Sequence, residues 1–158
     1  MRKLKIYLDT SIINFAIDDR NPEGKKLTLR LFEEIKAGKY EAFISRVVLF
    51  EVNKADDEKR KKLLEVIRNL NPEELPINEE IQVLAKKYVS SGIIPEKYAD
   101  DAIHIAAACV HDLDVIISWN FEHIVKLRTK QEVVGVNAFM GYRKDVEIYS
   151  PQEVVEDV

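Results

Sequence analysis

The amino-acid sequence predicts an α/β fold, with helices on both faces of a mostly parallel sheet of four or five strands. The first observation is that strand-like segments alternate with segments of helical periodicity along the whole chain, a pattern typical of parallel sheets. The second is the strand Leu4–Leu8, whose last three residues are all apolar or aromatic, as expected where both faces of a strand are covered. The chain of 158 residues is long enough for one such domain, residues 1–158.

The other four strands are predicted from short apolar segments bounded by turn residues. The second of these four can only be an edge strand, because Pro76 has no backbone N–H to donate to a neighbouring strand. After the last strand, Ser150 begins a predicted polar tail. In chain order, the four segments are residues 40–44, 75–77, 113–117 and 146–149.

Helices are predicted where apolar residues recur at intervals of three and four. The clearest stripe begins at Ile81 and Leu84, and Asn78 precedes it as a helix cap. Gly38 and Gly141 are placed to end two other helices. In chain order, the predicted helices cover residues 11–17, 25–37, 47–54, 57–70, 79–89, 95–111 and 129–140.

The bulk composition narrows the class of protein. A net charge of −4 argues against a generic nucleic-acid coat, which binds phosphates through many Lys and Arg side chains. It leaves room for a nuclease, where bound divalent metals supply the positive charge. The single cysteine, Cys109, cannot form an internal disulfide, so we expect a cytoplasmic protein. No apolar run reaches transmembrane length, so no membrane partner is expected.

Three acidic positions call for an explanation. Asp9 follows the buried first strand directly, and a buried carboxylate requires a metal, a cation or several hydrogen-bond donors. Asp101, with its neighbour Asp100, opens a helix that is otherwise apolar and rich in alanine; helix capping accounts for one acid better than for two. Glu51 is the only charge in residues 47–52, and taken alone it is explained by a solvated helix position.

Two further features concern the same region. Ser118 and Asn120 follow the fourth predicted strand, where an ordinary turn is the alternative explanation. On the helical wheel Asp100 shares a face with His104, which predicts an i,i+4 pair and leaves Asp101 free. Ligands of open α/β sheets bind outside the carboxyl ends of the strands, so the acids and the amide are expected to meet there. Oxygen ligands of this kind suit Mg²⁺ or Mn²⁺, and such a site suits hydrolysis of phosphodiesters.

The chain resembles the PIN domains over nearly its whole length. Four motifs recur in the family's order: residues 6–11, 45–51, 101–106 and 118–121. The resemblance implies a three-layer α/β/α sandwich and a metal-dependent nuclease. The small prokaryotic members are commonly VapC-like toxins, which are ribonucleases neutralised by an antitoxin encoded beside them. The resemblance therefore implies an RNA substrate, a cognate antitoxin as partner, and a homodimer.

The resemblance also implies roles for single residues. Asp9, Glu51 and Asp101 look like the family's catalytic acids, which hold Mg²⁺ or Mn²⁺ directly or through water. Thr10 and Ser118 resemble the hydroxyls that support the acid cluster.

The chain departs from the family pattern at one position. Asn120 stands where a fourth acid is usual, and it would bind the metal through its carbonyl oxygen or orient a water. Because Asn120 brings no charge, binding of a second metal is left open, and Asp100 or Glu122 could assist.

Other classes of protein fit the sequence less well. A haloacid-dehalogenase-type phosphatase needs a second Asp two residues after the first, and this chain has Ser11 there. A receiver-like phospho-acceptor is disfavoured because the second acid lies far along the chain. With Asn120 in place of an acid, the remaining alternative is a weakened PIN-like domain that binds RNA or a protein partner without cleavage. A metal-dependent cleavage assay distinguishes this alternative from an active nuclease.

Overall fold

The computed structural model describes residues 2–156, which form a five-stranded sheet with every strand parallel to its neighbours. The first strand in the sequence lies at the centre, since the spatial order is β3-β2-β1-β4-β5. The predicted parallel sheet of four or five strands is therefore confirmed. The strands are β1 (Leu4–Leu8), β2 (Tyr40–Ser45), β3 (Glu73–Leu75), β4 (Val115–Ile117) and β5 (Glu147–Tyr149).

Helices cover both faces of this sheet. In chain order they are α1 (Thr10–Phe15), α2 (Pro22–Lys36), α3 (Arg46–Val52), α4 (Asp57–Leu70), α5 (Glu79–Ser90), α6 (Ala99–Val110), α7 (Leu127–Phe139) and α8 (Pro151–Val154). One hydrophobic core lies between the sheet and α5, α6 and α7. The other core lies between the opposite face of the sheet and α1 to α4, with α8 at its margin. The three-layer α/β/α sandwich is thus confirmed.

The central strand β1 contributes to both cores. Tyr7 points into the core beside α6, whereas Ile6 and Leu8 point into the opposite core, as the alternation of side chains along a strand requires. All three side chains are at most 1% exposed. The residue that follows this strand therefore begins in a buried position between two helical layers.

Most boundaries differ from the sequence predictions by one to three residues, and three differences are notable. The edge strand β3 ends before Pro76, which agrees with its having no N–H to donate. The predicted helix over residues 95–111 is divided into a 3₁₀ turn, Glu96–Tyr98, and α6. The polar tail predicted from Ser150 is wrong: α8 follows, because Ser150 and Glu153 form a capping box around it. No helix within residues 2–156 combines the length and the apolar character that crossing a membrane needs.

Candidate active site

The carboxyl ends of the three central strands meet at one edge of the sheet. β1 is followed by Asp9, and its neighbour β4 is followed by Ser118. β2, the other neighbour of β1, ends at Ser45 and continues into α3, which carries Glu51. Because the strands are parallel and adjacent, residues that are distant in the sequence come together at this edge.

Asp9 is a buried carboxylate held by hydroxyl groups. Its side chain is the N-cap of α1 and accepts from the backbone N–H of Ile12 at 3.4 Å. Ser11 Oγ donates to Asp9 Oδ1 and Ser118 Oγ donates to Asp9 Oδ2, each at 2.5 Å. Burial raises the pKa of Asp9 above its ordinary value of 3.8, and the nearby charge of His104 and the two hydroxyls offset only part of this effect.

Glu51 reaches the same region from α3. Thr10 Oγ1 donates to Glu51 Oε1 at 2.6 Å, and His104 Nε2 lies 2.7 Å from the same oxygen. Burial raises the pKa of Glu51, but the hydrogen bonds and the positive charge of its neighbours outweigh burial, so the pKa lies below its ordinary value. Glu51 is therefore held as a carboxylate.

His104 links Glu51 to the centre of the sheet. Its Nδ1 lies 2.6 Å from the hydroxyl of Tyr7, which in turn lies 2.8 Å from Ser45 Oγ. Burial lowers the pKa of His104, but Glu51, Asp9 and Asp101 raise it further, and the net direction is upward. The charges of the three acids therefore converge on this buried histidine.

The pair predicted between Asp100 and His104 is wrong. Both nitrogens of the His104 ring are used by Tyr7 and Glu51. Asp100 forms no hydrogen bond or ion pair within residues 2–156, and its side chain is only half-buried. The spacing on one helix is outweighed here by partners that α3 and β1 supply.

Asp101 stands in the first turn of α6 with two partners from the turn after β4. Asn120 Nδ2 donates to Asp101 Oδ2 at 3.1 Å, and His123 Nδ1 lies 3.0 Å from the same oxygen. Burial raises the pKa of Asp101, and the nearby histidines and Asn120 offset only part of the increase.

The orientation of Asn120 differs from the one expected of a metal ligand. Its carbonyl oxygen accepts the backbone N–H groups of Glu122 and His123, at 3.1 and 2.9 Å. Its NH₂ group faces Asp101. The oxygen that was predicted to bind a metal is therefore used within the turn, and Asn120 holds Asp101 in place. Glu122 lies outside the acid cluster: its side chain is exposed and is 3.6 Å from His123.

Four site residues were missed or misplaced by the sequence reasoning: Tyr7, Ser11, His104 and His123. A hydroxyl inside a buried strand and a histidine on a buried helix both need polar partners, so Tyr7 and His104 carried a usable signal. Ser11 follows two residues after Asp9, where its hydroxyl can reach back to the cap. His123 carried no signal, because its contact with Asp101 depends on the path of the turn.

The donor set fits a hard divalent cation. Among the described residues, the three carboxylates form no ion pair with a lysine or an arginine. Their only ion-pair partners there are His104 and His123. Asp9 is buried and Asp101 is partly buried, and both have raised pKa values, so a bound cation would relieve the cost of their charge. Within residues 2–156, no three His, Cys, Asp or Glu side chains form a ready-made metal-binding group. Metal binding would therefore require these side chains to rearrange from the positions that they have in this structure.

Helix α2 supports the turn that carries Ser118 and Asn120. Trp119, between them, donates from its ring N–H to Thr28 Oγ1 at 2.8 Å. The Trp119 ring stacks on Phe15 with the ring centres 4.9 Å apart. Phe15 in turn lies against Gly24, where there is no room for a side chain.

Replacing Gly24 with alanine tests this support. The new Cβ would lie 2.7 Å from Phe15 Cδ2, so the ring must shift on its Trp119 neighbour. We expect this overpacking to cost about 1–3 kcal/mol, which exceeds the gain of up to about 1 kcal/mol from alanine in a helix. Urea unfolding measures the difference in the free energy of unfolding.

The matched control for this change is Gly135→Ala in α7. A Cβ at Gly135 meets nothing within 4 Å, so that variant is expected to gain about 0.5–1 kcal/mol. If Gly24→Ala is stabilised as much as the control, the ring of Phe15 moves freely and does not brace Trp119.

The chain matches a known protein family and has the fold of several solved structures. A family model described as PIN domain matches residues 6–124. Three solved structures are similar. VapBC2 from Rickettsia felis bound to a DNA fragment from its promoter has a TM-score of 0.53 and 18% identity, covering 75% of this chain and 90% of that one. A toxin–antitoxin complex from Klebsiella pneumoniae has a TM-score of 0.55 and 20% identity, covering 78% of this chain and 93% of that one, and DNA-bound VapBC from Salmonella typhimurium has a TM-score of 0.58 and 18% identity, covering 94% and 98%. No curated protein matches the sequence significantly.

At 18% to 20% identity, the similarity to these structures concerns the fold. The family model goes further, since the residues it matches include Asp9, Glu51, Asp101 and Asn120. It also covers most of the length of the chain, from β1 to the turn after β4. The chain belongs to the PIN domain family.

Proposed function

We propose that this protein is a metal-dependent endoribonuclease that hydrolyses RNA phosphodiester bonds at the acid cluster. The observation that carries the proposal is that three acids from separate elements meet at the carboxyl edge of the sheet. Ser118 and Asn120, from one turn, contact Asp9 and Asp101, and Thr10, next to Asp9, contacts Glu51. No lysine or arginine among the described residues forms an ion pair with these acids, and the charge of Lys54 is the weakest of the causes that lower the pKa of Glu51. Nuclease activity is also general among PIN domains, which supports this assignment.

Asp9, Glu51 and Asp101 would hold Mg²⁺ or Mn²⁺. A bound ion of this kind supplies a nucleophilic water at neutral pH and neutralises charge on the phosphate. The chain itself orients the ligands. The hydroxyls of Ser11 and Ser118 fix the two oxygens of Asp9.

The other two acids are oriented by different partners. Thr10 and His104 hold one oxygen of Glu51. Asn120 holds Asp101 from the turn after β4. In this proposal Asn120 is a positioning residue rather than a metal ligand, and Asp100 has no role.

The test is cleavage of a labelled RNA pool with Mg²⁺ or Mn²⁺, with a chelator, and with Asp9→Asn in place of the wild type. We expect cleavage that requires the metal and is lost in the variant. Metal-bound wild type that binds RNA and cuts nothing would overturn the proposal. That result would favour the second candidate, a PIN-like domain that binds RNA or a protein without cleavage. The observation that favours this candidate is that Asn120 brings no charge to a position where an acid is usual.

The proposal extends to partners. One of the three similar structures is described as a toxin–antitoxin complex and the other two as VapBC proteins bound to DNA, so we assign this chain the toxin role and an antitoxin as its partner. A homodimer, as the resemblance implies, is part of the same proposal. Co-expression with the neighbouring reading frame, followed by measurement of cleavage and molar mass, tests both: the complex should be inactive and the free protein should have twice the chain's mass.

Asn120→Asp tests the positioning role of that residue. The change replaces the NH₂ that faces Asp101 with an oxygen, so two carboxylates would face each other across the present 3.1 Å contact. We expect the metal-free variant to lose about 1–3 kcal/mol of stability through the lost charge-assisted hydrogen bond and the new repulsion. Because a bound cation relieves that repulsion, excess Mn²⁺ should close most of the gap to wild type.

Thermal or urea unfolding measures the stability difference from wild type twice, once with a chelator and once with Mn²⁺. Asn78→Asp is the control, since Asn78 caps α5 through Ile81 N–H and aspartate caps equally well. This control should respond to Mn²⁺ as wild type does. An Asn120→Asp variant that is equally destabilised with and without metal would show that the turn, and not the acid cluster, needs the amide.

A further inference from the structure

Exposed aromatic side chains are concentrated beside the acid cluster. Within residues 2–156, the exposed aromatic rings are Phe50, Tyr98, Phe121 and Phe139. Phe50 precedes Glu51 and Phe121 follows Asn120 in the chain, while Tyr98 stands three residues before Asp101. Only Phe139, at the end of α7, is remote from the site in the sequence.

Tyr98 is the ring whose position is best defined. One side of it packs on His123, with the ring centres 4.3 Å apart and the planes tilted by 38°. His123 is fixed in turn by its contact with Asp101 Oδ2 at 3.0 Å. Tyr98 nevertheless remains 41% exposed. A flat surface is thus held open to solvent, and His123 connects it to the proposed catalytic acid Asp101.

A positive charge accompanies this ring. The ammonium group of Lys97 lies over the Tyr98 ring, 5.8 Å from its centre, so a base that stacks on this face would take the place of the lysine side chain. The same combination occurs at Phe50, where Lys54 Nζ lies 4.5 Å from the ring centre. An aromatic face for a base, with a cation within reach of the adjoining phosphate, is the combination that single-stranded nucleic acids bind.

We infer that Tyr98, with Lys97, is a stacking platform for an unpaired base of the substrate next to the bond that is cut. This inference rests on the proposed function and adds to it one defined position for a base, on Tyr98. A paired base already has neighbours on both faces and cannot lie on the ring. The lysines beside the rings favour a nucleic acid over a protein as the occupant, because they can reach its phosphates. Tyr98 is also not part of the apolar groove between α5 and the start of α6.

The test measures binding separately from catalysis, in a background of Asp9→Asn. The probe is a short labelled single-stranded oligoribonucleotide, with a duplex of the same sequence as competitor. Tyr98→Ala is expected to weaken binding about tenfold, and Tyr98→Phe, which keeps the ring, is expected to bind as the background does. The duplex should compete poorly with the single strand.

Phe139→Ala is the matched control. Phe139 is 78% exposed and also has a lysine, Lys87, 5.2 Å from its ring centre. It lies at the end of α7, the helix that leads from the end of β4 back to the start of β5, and so at the opposite edge of the sheet. Loss of this ring should leave RNA binding unchanged.

An abasic nucleotide placed at each position of the oligonucleotide in turn identifies the stacked base. At one position, the abasic change and Tyr98→Ala should weaken binding to the same extent, singly and together. Unchanged binding in Tyr98→Ala, or effects that add at every position, would overturn the inference and assign the exposed ring to a protein partner. A background protein that binds no oligoribonucleotide would overturn it too. Metal-dependent cleavage by the wild type is measured separately, so failure of the platform is distinguishable from failure of the nuclease.

Discussion

Asp9→Asn is expected to reduce metal-dependent RNA cleavage by roughly a thousandfold while making the protein more stable at neutral pH. Cleavage falls because the amide cannot replace the charge that a divalent cation requires. Stability rises because Asp9 is buried, and burial raises its pKa above the ordinary value. Ionisation of Asp9 in the native state therefore lowers the free energy of unfolding of the protein.

The sign of the pH dependence follows from that shift. A carboxyl group with a raised pKa in the folded state stabilises the fold below its unfolded value of 3.8. Its contribution is lost as the pH rises through the folded pKa. The stability advantage of Asp9→Asn over wild type should therefore grow as the pH increases from 3.8 towards neutrality. Urea unfolding at a series of pH values in the presence of a chelator measures it.

Asp56→Asn is the control for this prediction. Asp56 is also a helix N-cap, accepting from Lys59 N–H at 2.9 Å, but it is exposed at the start of α4. Asparagine caps as well as aspartate does, so this variant should keep its activity and most of its stability. If Asp9→Asn lowers stability at neutral pH, Asp9 is chiefly a structural cap of α1 and its burial is fully compensated.

His104→Ala is expected to lower the free energy of unfolding by about 2–4 kcal/mol and the cleavage rate by about ten- to a hundredfold. The side chain is 1% exposed, and both ring nitrogens have partners. Its removal would leave a cavity, take a partner from the buried hydroxyl of Tyr7 and release one oxygen of Glu51. Chemical denaturation and cleavage kinetics measure the two losses.

His111→Ala serves as the comparison, because His111 ends the same helix and its Nε2 has no hydrogen-bond partner in the described part of the chain. Because His111 is only partly buried, that change should cost clearly less than His104→Ala. Tyr7→Phe completes a double-mutant cycle: its cost should shrink in the His104→Ala background, since the shared hydrogen bond is already gone. Strictly additive costs would show that the two side chains act independently.

The first strand shows how far sequence reasoning reaches for this protein. Ile6, Tyr7 and Leu8 carry no polar alternation, which predicts cover on both faces, and the structure confirms it. An acid placed directly after such a strand must lie at the carboxyl edge of the sheet, so the location of Asp9 follows from local pattern alone. The same argument places Ser118 after β4.

The partners of these residues could not be predicted in this way. Helical spacing paired His104 with Asp100, whereas its actual partner Glu51 is 53 positions away and belongs to α3. α3 and α6 lie on opposite faces of the sheet and meet only beyond its edge, so their contact depends on the packing of all three layers. The orientation of Asn120 depends likewise on the path of a turn. The helix α8 was missed for another reason: four residues are too few to show a helical period.

The central position of β1 affects when the site can form during synthesis of the chain. The hydrogen bond from Ser118 to Asp9 joins residues 109 positions apart in the chain. At about 5–20 residues per second, a ribosome needs roughly 5 to 20 seconds to extend the chain over that distance. During that interval the first acid has been made but β4 and its turn are not complete, so the full site cannot assemble. Whatever chemistry the acid cluster performs begins only when nearly the whole domain has been synthesised and folded.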